Sequence, residues 1–131
     1  MIPLDPSQAE VVRFLEGGGL GPWPVERIDT HAAVILLAGA RAWKMKRAVR
    51  YSFLDFTTLE RREAALRHEL DVNAGAAGLY QGVVPVTREP DGGLALAGRG
   101  AVVEWLLQMR RFDRDQELDR VAARGELDDA L

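Results

Sequence analysis

The chain has 131 residues, enough for one domain with a single core, and its 47% hydrophobic and 28% charged residues describe an ordinary globular protein. The absence of cysteine excludes disulfides, thiolate catalysis and cysteine-ligated zinc, and a net charge of −3 argues against a dedicated nucleic-acid binder. Without a secretory signal or an apolar stretch near the roughly 20 residues that cross a bilayer, we expect a cytoplasmic protein with no membrane partner.

The first predicted element is a short helix. Asp5 and Pro6 are typical of an N-cap and a first helical position, and Gly17-Gly18-Gly19 is expected to end the helix. Residues 1–24 are assigned to this helix and the connector that follows it.

Strand periodicity begins at Val25. Alternation places Ala42, Lys44 and Lys46 on one face of the third strand. The three strands predicted in this part of the chain are Val25–Asp29, Ala33–Leu37 and Ala42–Arg47.

A long helix is predicted after the third strand. The aromatic connection Tyr51–Phe56 is expected to pack under this helix, and Thr57 or Thr58 to cap its N-terminus. Gly75 and Gly78 are expected to end it.

The rest of the chain again reads as strands, with a strong turn signal at Pro90-Asp91-Gly92 and a short final helix at Gln116–Ala123. The fold class is therefore α+β, with a five-stranded antiparallel sheet, one long helix after the third strand, and short helices at both ends. The strand segments in this part are Gly82–Thr87, Gly93–Ala97 and Ala101–Met109.

Two strand lysines are the first candidates for chemistry. A lysine held in a strand presents a fixed positive charge suited to phosphate, although both lysines could equally face solvent. Glu63 and Glu69 of the long helix are candidate partners for Lys44 and Lys46, and either could also be a solvated helix charge.

The turn between the first two strands is a weaker candidate. Its backbone amides and the Thr30 hydroxyl could lie over phosphates, with His31 beside them, but it lacks a glycine-rich sequence. His31 and His68 lie far apart and indicate no metal site. No Walker-type motif and no GxSxG motif occurs, and no HxD pattern follows Met109.

Several segments in order resemble the aminoglycoside-phosphotransferase-like branch of the protein-kinase-like fold, closest to bacterial members that are often fused to a P-loop ATPase domain. The resemblance covers about Val25 to the end of the chain. Its segments are Ile28–Val34, Ala42–Arg47, Phe53–Glu60, Glu69–Asn73, Leu79–Val86 and Val103–Phe112.

The resemblance implies a kinase-like N-terminal lobe at 25–112, followed at 113–131 by the start of a truncated helical lobe. Lys46 then looks like the lysine that binds ATP phosphates, with Lys44 as the alternative, and Glu69 looks like its partner, with Lys44 and Glu63 as the competing pair. Gln108, Met109 and Arg110 resemble the hinge whose backbone binds adenine.

The function expected from this resemblance is an ATP-binding lobe of a small-molecule kinase. It is expected to be inactive alone, with no catalytic residue of its own, because the catalytic lobe and its Mg²⁺ ligands are missing. The alternative is a stand-alone nucleotide-binding or protein-interaction module. Expected partners are a nucleotide, the missing lobe or a P-loop ATPase domain, and a second copy of the chain. The face for self-association would include Trp105, Leu107, Met109 and Phe112.

Overall fold

The computed structural model describes residues 3–73 and 79–111. The chain is α+β, and its centre is a six-stranded antiparallel sheet with the strand order β1-β2-β3-β8-β6-β7. Those strands are β1 (Val25–Asp29), β2 (Ala33–Ala38), β3 (Arg41–Lys46), β6 (Tyr80–Arg88), β7 (Leu94–Leu96) and β8 (Ala101–Arg110).

The expectation of five strands is wrong by one. Each of the six segments with strand periodicity forms a strand, including the three-residue β7, which pairs with the end of β6 at the edge of the sheet. The chain reverses between β6 and β7 at the expected turn, where the amide of Glu89 donates to the carbonyl of Gly93 at 2.8 Å.

A second, two-stranded sheet was not expected. Strands β4 (Arg50–Tyr51) and β5 (Leu54–Asp55) form a tight hairpin between β3 and the long helix. The expectation that this aromatic segment packs under the helix is wrong for Phe53, because this residue lies at the hairpin tip, is 76% exposed and stacks on Tyr51.

Helix α1 (Pro6–Phe14) covers one face of the sheet. The Asp5 side chain caps it by accepting from the Ser7 amide at 2.9 Å, and a π-helical turn at Leu15–Gly19 ends it, with Gly18 in the left-handed region at φ 122°. The core lies between α1 and this face, and its buried apolar residues include Val11, Val12, Leu15, Val34, Leu36, Trp43, Met45, Val86 and Leu106.

Helix α2 (Leu59–Val72) packs against β8 and β6. Thr58 is its N-cap and accepts from the Arg61 amide at 3.2 Å, while Asn73 is its C-cap. The predicted glycine stop at Gly75 and Gly78, the final helix and residues 113–131 lie outside the described residues. Neither described helix is both long enough and apolar enough to cross a bilayer.

Candidate functional site

Helix α2 turns one of its glutamates towards the sheet. Arg62, Leu66 and Glu69 are spaced by four and three residues, so they share one face of the helix. Leu66 is completely buried and Arg62 nearly so, which shows that this face is the packed one. Packing of α2 therefore directs Glu69 at β3.

Two lysines of β3 meet that carboxylate. The Lys44 ammonium donates to one oxygen of Glu69 at 2.6 Å, and the Lys46 ammonium donates to the other at 3.0 Å. The side chains are 7%, 16% and 19% exposed for Lys44, Lys46 and Glu69. These are the only two lysines among the 17 basic residues of the chain. We call this group the lysine cluster.

The lysine cluster carries more positive than negative charge. Burial raises the pKa of Glu69, but attraction and hydrogen bonds from Lys44 and Lys46 outweigh that effect and hold the pKa below its usual value. Glu69 is therefore ionised at neutral pH and neutralises one ammonium of the two. Within the described residues Lys46 also lies 5.4 Å from the centre of the Phe56 ring, a contact that favours a cation without neutralising it. The excess positive charge would favour the binding of an anion.

A second charged group lies between the two helices and the sheet. Glu104 is 1% exposed and accepts from Arg62 of α2 at 2.9 Å and from Gln8 of α1 at 2.8 Å. The Gln8 side chain also donates to the Lys46 carbonyl at 2.8 Å and accepts from the Ala48 amide at 2.9 Å. We call Gln8, Arg62 and Glu104 the glutamate cluster, and it anchors the end of β3 directly.

An apolar surface adjoins the lysine cluster on the same face of the sheet. Strand register places Ile35 of β2 directly opposite Lys44, and Ile28 of β1 opposite Ile35. The next row joins Leu37, Ala42 and Met109, which are half-buried or buried. Ile28 is 36% exposed, so this surface is accessible at its β1 edge.

The turn between β1 and β2 stands near the end of this face. The Thr30 hydroxyl accepts from the Ala33 amide at 3.0 Å and donates to the Ala33 carbonyl at 3.3 Å, so its bonding capacity is used within the turn. His31 is exposed, its ring packs edge-on to Tyr51, and its carbonyl accepts from the Tyr51 hydroxyl at 3.0 Å. The structure thus places Thr30 in a structural role and His31 at the surface.

Glu63 does not reach either lysine. Its carboxylate accepts from Arg67 one turn further along α2 at 2.9 Å, on the exposed side of the helix. His68 is also exposed. The preferred pair, Lys46 with Glu69, forms in the structure. The competing pair, Lys44 with Glu63, does not form, because Lys44 also pairs with Glu69.

The residues expected to form a hinge lie inside the sheet. Gln108 and Met109 pair with β3 on one side and with β6 on the other. The Gln108 side chain accepts from the Trp43 indole at 3.2 Å and donates to Gln81 at 3.0 Å. The amides of Arg110 and Arg111 donate to the carbonyls at positions 79 and 40.

The described residues expected at the self-association surface are not equally exposed. Leu107 is completely buried, because it lies on β8 beneath the packed face of α2, so it cannot contribute to an exposed apolar face. Trp105 is half-buried, with the Arg67 guanidinium 5.3 Å from its ring centre, and Met109 is half-buried. Phe112 lies outside the described residues.

The glutamate cluster was missed at the sequence level, although signals for it exist. Gln8 continues the buried spacing of Val11, Val12 and Leu15, and Glu104 is a single acid inside an apolar strand. A polar residue in a buried register needs partners, so these positions indicate a hydrogen-bonded group.

Comparison with known proteins gives relatives without an assigned function. Uncharacterized proteins of Mycobacterium tuberculosis and Mycobacterium bovis are 38% identical to the chain over 98 residues, which is 74% of the chain. The match spans only 18% of the length of each relative. No family model and no solved structure matches the chain.

Proposed function

We propose that this chain is the ATP-binding N-terminal lobe of an aminoglycoside-phosphotransferase-like small-molecule kinase. The observation that carries the proposal is the lysine cluster, in which a helix glutamate holds two strand lysines and, among the described residues, leaves one positive charge without a counter-ion. A strand lysine fixed by a helix glutamate is the arrangement with which protein-kinase-like folds bind nucleotide phosphates.

Both lysines are assigned to phosphate binding in this proposal. Because Glu69 uses a separate oxygen for each, Lys44 and Lys46 are held side by side and can each donate further hydrogen bonds to a phosphate oxygen. Lys44 lies in the row that contains Ile35, so it is the lysine next to the apolar surface, whereas Lys46 lies towards Phe56. This arrangement supports Lys44 as strongly as Lys46.

The apolar surface supports the same proposal, because it could contact the adenine base of ATP. A nucleotide combines a flat, weakly polar ring with a polyphosphate, and ligand sites combine apolar walls with a few fixed polar groups. The adenine ring of ATP would pack on Ile28, Leu37 and Ala42, and the ATP phosphates would contact the two lysines. Since the amides of Arg110 and Arg111 are already bonded, any hinge hydrogen bond to adenine would have to come from other backbone groups.

The reaction of the whole protein is part of the proposal. In a kinase the γ-phosphoryl group passes to an acceptor hydroxyl, and catalysis relies on positioning, charge neutralisation and Mg²⁺ held by acidic residues. The lysine cluster would supply positioning and positive charge. The catalytic aspartate and the metal ligands would come from a lobe outside the described residues, and the much greater length of the relatives is compatible with such a lobe.

The test is a calorimetric titration of the 131-residue chain with ATP and with inorganic tripolyphosphate. We expect saturable binding of both, with ATP tighter because its base adds apolar contact. Lys44→Met and Lys46→Met should each weaken ATP binding at least about tenfold, since a hydrogen bond to a charged group is worth about 1.5–3 kcal/mol.

Arg61→Met is the matched control, because it removes an exposed cation from the start of α2 and should leave ATP binding unchanged. An ATP affinity that is the same in both lysine variants as in the unmodified chain would contradict the proposal. So would binding of tripolyphosphate as tight as ATP, because the apolar surface would then contribute nothing.

A further inference from the structure

A pocket lies on the face of the sheet opposite the lysine cluster. It has a volume of about 350 Å³ and lies at the end of the sheet where β3 begins and β8 ends. Arg41 and Trp43, which line it, alternate with Lys44 along β3, so the pocket and the lysine cluster are on different faces. This pocket is independent of the nucleotide site proposed above.

Two tryptophans give the pocket flat apolar walls. Trp43 is 2% exposed and its indole N–H is bonded to Gln108, so this wall is fixed. Trp23 is 48% exposed, and its ring lies so close over Gly39 that a Cβ there would be 2.8 Å from it. Glycine at position 39, with φ 59°, therefore serves both the turn and the placement of Trp23.

Two arginines at the pocket have no neutralising partner among the described residues. Arg41 and Arg110 stand directly opposite each other on β3 and β8. Like charges in that position destabilise a sheet. Across residues 3–73 and 79–111 neither guanidinium makes an ion pair or a hydrogen bond, and the lining contains no carboxylate.

We propose that this pocket binds a small ligand that carries an anionic group, a carboxylate or a phosphate, on a flat ring. The ring would stack on Trp23, which is the exposed wall, and the anion would accept hydrogen bonds from Arg41 and Arg110, whose planar donors suit both anions. The anion also removes the repulsion between the two guanidinium groups. The volume is at the lower end of small-molecule sites, which fits one or two rings.

The indole N–H signals of the chain provide the readout, because it has only three tryptophans. In ¹H–¹⁵N spectra, assigned with single Trp→Phe variants, 1-naphthyl phosphate and 1-naphthoate should shift the Trp23 signal in a saturable manner. Trp105 lies on the other face and should not respond. Neutral 1-naphthylmethanol should bind at least tenfold more weakly, and the stronger of the two anionic probes identifies the preferred anion.

The doubly substituted chain R41Q/R110Q should lose the preference for anionic probes while remaining folded, because the change removes a repulsive pair. Arg61→Gln is the control and should have no effect, and Lys44→Met should also leave the Trp23 response unchanged. The proposal is overturned if Trp23 does not respond to either anion at millimolar concentration. It is equally overturned if the response persists in R41Q/R110Q, or if the neutral probe binds as tightly as the anions.

Discussion

The lysine cluster and the glutamate cluster use the same helix and the same sheet in opposite ways. In the glutamate cluster one carboxylate meets one guanidinium and the amide of Gln8, and the group is almost completely buried. In the lysine cluster one carboxylate meets two ammonium groups, and all three side chains keep some contact with solvent. The first has equal numbers of opposite charges and the second does not.

This difference suggests different roles for the two clusters: the glutamate cluster stabilises the fold, and the lysine cluster is suited to binding a ligand. A buried charge is costly unless it is paired and hydrogen-bonded, so a balanced cluster has little capacity left for a ligand. A partly exposed cluster with excess positive charge is stabilised by a bound anion, and contact with water lowers the free-energy cost of leaving it without one. Charge balance and exposure together therefore indicate which charged residues of α2 hold the fold and which serve the site.

The largest expected effect comes from Glu104→Gln in the glutamate cluster. This change leaves Arg62 buried without its hydrogen-bonded carboxylate and should destabilise the chain by about 3–5 kcal/mol. Denaturant unfolding monitored by circular dichroism measures it. R62M/E104Q should recover part of the loss, because neither partner then remains unpaired. If the two changes simply add, the two residues do not act as a pair.

Glu69→Gln should be the next largest change in stability. It leaves two ammonium groups together without a carboxylate, at a cost of about 2 kcal/mol, less than for Glu104 because the groups retain solvent contact. Lys44→Met is the matched comparison and should cost under about 1 kcal/mol, since Glu69 keeps Lys46 as its partner. Equal losses for the two variants in unfolding experiments would contradict an excess of positive charge.

The contribution of the lysine cluster to folding stability should decrease at acidic pH. The pKa of Glu69 is lower in the folded chain than its ordinary value of 4.5, so ionised Glu69 stabilises the fold above that value. This stabilisation is lost as the pH falls through the lower folded pKa. The stability difference between the unmodified chain and Glu69→Gln should therefore shrink below about pH 4.5. A difference that is constant with pH would show that Glu69 is not held ionised by the lysines.

The smallest effect is expected for Glu63→Gln, which removes an exposed pair within α2. Pairs of this spacing contribute about 0.3–0.5 kcal/mol, so stability should change by no more than that, and ATP binding should not change. Thermal unfolding and the same calorimetric titration measure both quantities. A loss of ATP binding in this variant would restore Glu63 as a candidate partner of Lys44.

Much of the fold was predictable from residue periodicity. Alternation located all six strands of the sheet to within two residues. Asp5 predicted the start of α1 correctly, and Thr58 was one of the two residues predicted to cap α2. The hairpin of β4 and β5 was missed because two-residue strands are too short to show a period. The count of five was one too low although all six segments showed strand periodicity, because periodicity alone does not show that the three-residue β7 joins the same sheet.

The candidate site was predictable only in part. Strand alternation correctly placed Lys44 and Lys46 on one face, but it could not show that one carboxylate holds both. That arrangement depends on how α2 is rotated and how far it extends over the sheet, which is set by buried contacts of Leu66 and by Arg62 with Glu104. Arg62 and Glu104 are 42 positions apart, so no local pattern records their contact.

Because the chain has only two lysines, its lysine side-chain NMR signals report on the proposed site alone. In the 131-residue chain labelled with ¹⁵N at lysine Nζ, titration with ATP should shift both signals with one common, saturable dissociation constant. That constant should agree with calorimetry, and the shifts should be absent with adenosine, which lacks phosphates. Lysine signals that stay in place while calorimetry detects ATP binding would show that the nucleotide binds elsewhere, and would contradict the assignment of the lysine cluster as a phosphate site.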